Sequence, residues 1–130
     1  MTGLIWMVQI VHYPLFKYVG NEQFLEYERK HSKLITFIVG PVMSLELLTG
    51  IVILSSSFLS NTDYNIYLIS FGLLVLIWLS TAFVQVRHHK QLSTEFSTQV
   101  VDKLVGYNWI RTICWTIRAI LLAFILYDLL

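Results

Sequence analysis

Two glutamine–histidine pairs are the first residues in this sequence whose types and spacing suggest chemistry. Gln9 precedes His12 by three residues, and Gln85 precedes His88 by the same interval. Residues three apart share one face of a helix, so each pair directs an amide and an imidazole the same way. Neutral imidazole is the commonest metal ligand, and a nearby amide can orient it. Because both pairs end apolar stretches, we expect the two copies to face each other.

A third histidine extends this predicted site. His31 follows Glu28 by three residues in the charged stretch 21–33, and di-iron helical bundles use such Glu-x-x-His pairs. The second half of the chain lacks an equivalent pair, because Asp102 and Asn108 are differently spaced. The sequence therefore predicts a transition metal (iron, copper or zinc) or a haem, and argues against a symmetric di-iron centre. The predicted ligands are His12, His31 and His88, and the predicted supporting residues are Gln9, Gln85, Asn108 and Glu28.

The adjacent histidines 88 and 89 have a second interpretation. His88 and His89 stand beside Arg87 and Lys90, as expected of a basic anchor that bonds lipid headgroups. We favour the anchor for His89. We favour a functional role for His12, because ionisable groups inside an apolar span usually face the protein interior.

Glu46 and Arg118 are charged residues deep inside apolar stretches. Their helices are predicted to run in the same direction, and aligning His31 with Asn108 leaves Arg118 about 7 Å nearer the cytoplasmic side. Arginine can bridge that interval, so we predict a buried ion pair. The pair could relay protons or clamp an anionic substrate, or it could only fix the helix register. The sequence leaves these roles open.

Arg111 and Tyr27 are predicted to contact a substrate or a lipid. Arg111 shares a helical stripe with Asn108, Trp115 and Arg118. A guanidinium near the membrane surface can bind a lipid phosphate or an acidic substrate. Most aromatic residues near the predicted surface are interpreted as an aromatic belt, which comprises Trp6, Tyr13, Tyr18, Tyr107 and Trp109.

The elements that must position these residues are apolar helices. The 130-residue chain is 56% hydrophobic and 13% charged, with a mean hydropathy of +0.67. Soluble domains are roughly 45–50% apolar and 25% charged, so this composition predicts a membrane protein. We predict one all-α domain over residues 1–130, a four-helix transmembrane bundle built from a duplicated helical hairpin. The predicted spans are about 1–18, 33–56, 65–88 and 107–129.

Helices two and four are predicted to extend beyond the membrane on the cytoplasmic side. Helix two should run from about 21 to 56 with a kink at Gly40-Pro41, and a polar turn should cover about 55–65. Ser93-Thr94-Glu95 is predicted to open the last helix.

Charge placement predicts the orientation of the helices. The two long connections contain lysine and arginine, whereas the connection near residue 60 contains neither. We therefore predict that both long connections are cytoplasmic and both termini are not, in a bacterial inner membrane. The net charge of +1 gives no indication of nucleic-acid binding. Cys114 is the only cysteine, which excludes an intrachain disulfide and a cysteine-based metal site.

The segment QVRHHKQL…GYNWIRTICWTIR resembles the anthrone-oxygenase-like family of small four-helix membrane proteins. That family shows a W-N-x-x-R-T motif at the start of its fourth helix. Asn108, Arg111 and Thr112 match this motif residue by residue, with Tyr107 in place of the tryptophan.

A second motif supports the same resemblance. The family carries V-P-x-N or V-P-x-H after its third helix, followed by a leucine. His88 matches the polar position and Leu92 the leucine, whereas Arg87 stands near the place of the proline. The resemblance covers about the last third of the chain, and the first half is similar to uncharacterised bacterial membrane proteins. It implies oxidoreductase chemistry at a polar site near the cytoplasmic side, and it supplies no substrate.

Three functions are consistent with these patterns. The leading hypothesis is a metal- or haem-dependent oxidoreductase that acts on a small hydrophobic substrate. The alternative is a non-enzymatic binding or transport module that uses the Glu46–Arg118 pair. The third is a structural subunit that forms homo-oligomers through small residues such as Gly40 and Gly50, although the sequence has no Gly-x-x-x-Gly motif. No nucleotide-binding loop or nucleophile triad occurs, so we predict neither an NTPase nor a hydrolase.

Overall fold

The computed structural model describes residues 1–60 and 64–128, which are helical apart from short turns and include no strand. The predicted all-α fold is therefore confirmed. The helices form four bodies, because the short elements within residues 2–18 join end to end and so do the elements within residues 64–92. The elements, in order, are α1 (Thr2–Met7), a π segment (Val8–His12), α2 (Tyr13–Leu15), a 3-10 turn (Phe16–Tyr18), α3 (Asn21–Ser60), α4 (Tyr64–Ser80), a second π segment (Thr81–Gln85), α5 (Val86–Leu92) and α6 (Thr98–Asp128).

Three of the four bodies are long and apolar enough to cross a membrane. They cover Asn21–Phe58, Tyr64–Leu92 and Thr98–Tyr127. Large apolar side chains on their outer surfaces are exposed, Phe37, Phe58 and Phe83 among them. Exposed apolar surface of this extent is suited to contact with lipid. The first body, predicted as a span over about 1–18, is not among these three helices, and the predicted duplication stays a prediction.

The helix ends near residue 60 differ from the prediction. Helix α3 continues to Ser60, so residues 55–60 of the predicted polar turn are helical, and residues 61–63 of that turn lie outside the described part of the chain. Ser55 donates its hydroxyl to the Ile51 carbonyl at 2.8 Å, which satisfies the serine within the helix. A serine bonded in this way is compatible with a helix, and this explains why the polar run does not end it.

The last helix begins later than predicted, at Thr98. Ser93 and Thr94 donate their hydroxyls to the carbonyls of Lys90 and Gln91, each at 2.8 Å. These local bonds occupy carbonyls at the end of α5 and favour a turn over a helix start.

Both glutamines of the repeated pairs lie in π segments. Gln9 lies inside the first π segment, and Gln85 is the last residue of the second. Pro14 follows the first segment and has no amide hydrogen for the carbonyl four residues earlier, which favours an irregular turn there. Single π turns inside helices occur frequently at functional sites.

The largest buried cluster lies where the first body packs against α6 and the start of α3. Phe16, Phe24, Leu92, Val101 and Leu104 are fully buried there. Helix α3 approaches α4 more closely at Gly50, where an added Cβ would lie 2.9 Å from Leu74 Cδ2. These contacts hold the charged end of α3 against α5 and α6, and they bring the polar residues together.

Candidate functional site

A chain of three hydrogen-bonded side chains connects a buried carboxyl to a phenol. Glu28 is 0% exposed, and His89 Nδ1 donates to its Oε1 at 2.6 Å. The other ring nitrogen of His89, Nε2, lies 3.0 Å from the Tyr13 hydroxyl. A neutral His89 that donates from Nδ1 accepts the Tyr13 proton at Nε2. We call Glu28, His89 and Tyr13 the relay.

Further contacts fix the relay in place. Ser32 Oγ donates to the same Glu28 oxygen at 2.7 Å. Phe16, which is fully buried, packs edge-on against the His89 ring and tilted against the Tyr13 ring. The relay therefore has little rotational freedom, because each ring is held by both packing and a hydrogen bond.

A second pair of imidazoles lies beside the relay. His12 Nε2 and His31 Nδ1 are 3.0 Å apart, so one ring donates to the other. Tyr27 stacks on His31 with ring planes 10° apart, which places this predicted substrate-contact residue against the pair. The His31 and His89 ring centroids are 5.6 Å apart. Two of the three predicted ligands are thus together. The predicted supporting residue Glu28 lies nearby, but it bonds to His89 and Ser32 and not to either of them.

The third predicted ligand, His88, lies elsewhere. Its Nδ1 is 2.7 Å from the Val84 carbonyl, and its ring packs against Tyr107 on the outer side of α6. His89 occupies the inner position instead. Each residue turns an α-helix by about 100°. His89, four residues after Gln85, therefore lies about 40° from Gln85 around the helix axis, whereas His88, three residues after it, lies about 60° away. The spacing of four, not three, therefore gives the inward histidine.

A cavity of about 210 Å³ lies between the four helical bodies and meets the relay at one end. Tyr13 and His89 both line it, and most of its wall is apolar, including Ile5 and Met43. Thr36 on α3 and the exposed Val86 on α5 also line it. The cavity therefore opens to the outer surface between α3 and α5.

Several polar atoms at the cavity have no hydrogen-bond partner in the described part of the chain. They are both amide atoms of Gln85, Nε1 of Trp78 and Nε of Arg111. All three side chains line the cavity, and Gln85 and Arg111 are only 2% and 5% exposed. A buried unpaired polar group costs about 1–3 kcal/mol. These atoms are therefore suited to bind the polar head of a small molecule.

Gln9 and Asn108 form a separate buried network behind the cavity. Asn108 Nδ2 donates to Gln9 Oε1 at 2.9 Å, and Gln9 Nε2 donates to the Val105 carbonyl at 3.1 Å. Arg111 donates to Asn108 Oδ1 at 3.2 Å. Gln9 and Asn108 therefore position Arg111 and not the imidazoles that they were predicted to support.

Glu46 and Arg118 meet as the sequence predicts. Arg118 Nη1 lies 3.9 Å from Glu46 Oε1, and Trp115 Nε1 donates to Glu46 Oε2 at 2.9 Å. The amino group of Met1 is 3.7 Å from Glu46 Oε1. Glu46 thus has contacts to two helical bodies besides its own, which is typical of a group that fixes helix register.

The described residues contain no group of three or more His, Cys, Asp or Glu side chains arranged to hold a metal ion. The His12 and His31 nitrogens face each other, and Glu28 Oε1 already accepts from His89 and Ser32. The predicted metal or haem stays a prediction.

Tyr13 and His89 are the site residues that the sequence interpretation missed. Both were assigned to the membrane surface, as an aromatic-belt residue and a basic anchor. Each stands four residues after a glutamine of the repeated pairs, at Gln9 and Gln85. That shared spacing is the signal that could have identified them.

Comparison with known proteins returned no match: no family model fits the chain, and none was found among curated proteins or solved structures. The fold and the site geometry therefore carry the functional argument.

Proposed function

We propose that this protein is an integral membrane protein that binds a small hydrophobic molecule in the cavity and removes a proton from its polar head. The observation that carries the proposal is the buried relay, whose phenol end reaches the cavity. The two long connections would face the cytoplasm, and the relay would then lie near that side of a bacterial inner membrane.

The relay can move a proton without leaving a charge unpaired. Tyr13 accepts the proton of the bound head as its own hydroxyl proton passes to His89 Nε2. The imidazolium that forms at His89 is held by the Glu28 carboxyl at 2.6 Å. The conjugate base of the ligand is held by the Arg111 guanidinium, which lines the same end of the cavity. Charge separation of this kind is favourable in a fixed polar site inside an apolar cavity.

An alkyl-substituted 4-nitrophenol tests this proposal, because the absorption of the probe reports its protonation state. Bound to the wild-type protein in non-ionic detergent, the probe should become phenolate at a pH about one unit or more below that in empty micelles. Tyr13→Phe and His89→Gln should bind the probe but lose this shift. His88→Gln, outside the cavity, should behave as the wild type.

A blocked cavity provides the matched control for binding. Gly40 lines the cavity, and a Cβ added there meets nothing within 4 Å, so the Gly40→Phe side chain has room to fill it. Gly72 has the same free space but does not line the cavity. Probe binding should be lost in Gly40→Phe and kept in Gly72→Phe. Equal binding by both variants would contradict the proposal.

Metal-dependent oxidation of a hydrophobic substrate, which the sequence and the family resemblance indicate, is the second candidate. Glu28 Oε2 and His31 Nε2 favour it, because both are buried ligand-type atoms without a partner in the described residues. Elemental analysis and an absorption spectrum of purified protein test it. A stoichiometric metal or a haem band lost in His31→Ala but kept in His88→Ala would support it. Protein without either would contradict it.

A further inference from the structure

The positive charge of Arg111 in the cavity indicates the chemical class of the ligand. Arg111 is 5% exposed and has no carboxylate partner among the described residues, although it lines a cavity whose wall is mostly apolar. Its neighbours include the neutral Asn108 oxygen at 3.2 Å, the neutral Tyr13 hydroxyl and the Trp115 ring, whose centroid is 5.1 Å from the guanidinium carbon. A buried guanidinium without a counter-ion favours an anionic ligand.

The other free groups at the head of the cavity are mainly hydrogen-bond donors. Trp78 Nε1 can only donate, and the Gln85 amide can donate through Nε2. Together with Arg111 Nε they offer three donor groups on two helical bodies. A carboxylate has two acceptor oxygens and a single charge, which one guanidinium can neutralise in a bidentate contact.

The outer opening of the cavity has the same sign of charge. A groove of about 370 Å³ between α3 and α5 shares Ile35, Thr36 and Val86 with the cavity lining. Arg29 and Lys90 line the groove on its two sides. Cations at the mouth and a guanidinium inside would attract an anion along this path.

We infer that the ligand of the cavity is a long-chain carboxylic acid, which enters between α3 and α5 and places its carboxylate on Arg111, Gln85 and Trp78. This inference rests on the proposed function and adds the chemical class of the ligand. The acid gives its proton to the relay, and the resulting carboxylate stays on Arg111. The apolar chain lies along the cavity wall and leaves through the opening toward the bilayer.

Displacement of the nitrophenol probe by palmitate, by hexadecanol of the same chain length and by a phospholipid tests the inference on the unaltered protein. Palmitate should displace the probe at a concentration about tenfold or more below that of hexadecanol, because only the acid can form charge-assisted bonds with Arg111. Dioleoyl phosphatidylglycerol, whose charge is on a phosphate, should displace it no better than hexadecanol. In Arg111→Gln the preference for palmitate should disappear, and in His88→Gln it should remain.

The possible results separate this inference from the proposed function. Probe binding with equal displacement by palmitate and hexadecanol, or with stronger displacement by phosphatidylglycerol, would overturn the carboxylate and leave the relay proposal intact. Calorimetric titration of palmitate measures binding without the probe. Absence of both palmitate and probe binding would contradict both proposals. If Arg111→Gln does not fold, the comparison of palmitate with hexadecanol on the wild-type protein still decides.

Discussion

At the residue scale, the site depends on a carboxyl that has no contact with solvent. Glu28 Oε1 accepts hydrogen bonds from His89 Nδ1 at 2.6 Å and from Ser32 Oγ at 2.7 Å. A polar group in such a position must keep its partners, because an unpaired buried donor is costly. The same carboxyl thus contributes to stability and orients the imidazole of the relay.

Substitution of Glu28 should therefore destabilise the protein in a graded way. Glu28→Leu leaves the His89 and Ser32 donors unpaired, each at a cost of about 1–3 kcal/mol. Glu28→Gln keeps one acceptor oxygen, so it should cost less. Thermal unfolding in detergent measures the difference. Glu26, two residues earlier on α3, is exposed and, among the described residues, is paired only with Lys30, so Glu26→Gln should cause no measurable change. A Glu28→Leu variant as stable as Glu26→Gln would contradict this account.

The sequence identified part of this site through spacing. His12, His31 and Glu28 were predicted and do lie together. Tyr13 and His89 were not, because the Gln-x-x-His spacing pairs residues three apart, whereas residues four apart lie closer together around an α-helix. The partner of Glu28 also depends on the contact between α3 and α5, which no local pattern contains.

At the element scale, the approach of α3 to α4 depends on a missing side chain. A Cβ at Gly50 would lie 2.9 Å from Leu74 Cδ2 and 3.5 Å from Phe71 Cδ2. The sequence interpretation noted Gly50 as a small residue for contacts between protein copies. The structure instead uses it within one chain.

A leucine at Gly50 should separate the two helices. Gly50→Leu should cost about 1–3 kcal/mol through overpacking, which exceeds the helix-propensity gain of about 1 kcal/mol. Gly72→Leu, at an exposed position with nothing within 4 Å of its Cβ, should be neutral or stabilising. Unfolding of both variants in the same detergent gives the comparison. Equal stability of the two would show that the close approach at Gly50 does not occur.

The ion pair between α3 and α6 shows which inter-element contacts a sequence can reveal. Glu46 and Arg118 were matched by axial position alone, and their side chains are 3.9 Å apart.

The π segments were not predicted, because the same apolar residues are compatible with regular α-helix. Helix lengths were predicted better than helix ends, since local hydroxyl bonds near residues 55 and 94 decided those ends.

At the scale of the whole molecule, the arrangement of the helical bodies creates the cavity. The composition indicates a membrane protein, and three helices have the length and apolar character to cross a bilayer. A cavity of about 210 Å³ between four bodies depends on how all of them pack, so no stretch of sequence predicts it. Under the proposed function, a hydrophobic molecule would enter the cavity through its opening between α3 and α5.

Photo-crosslinking with an alkylphenol that carries a diazirine on its chain tests the central claim most directly. The claim is that a hydrophobic molecule occupies the cavity between the helices. After irradiation in detergent, mass spectrometry of peptides should locate label on cavity residues such as Val39 and Val86, and excess unlabelled phenol should remove it. The Gly40→Phe variant should lose this label, and Gly72→Phe should keep it. Label confined to outer residues such as Phe83 and Ile120, and unchanged in Gly40→Phe, would contradict the account.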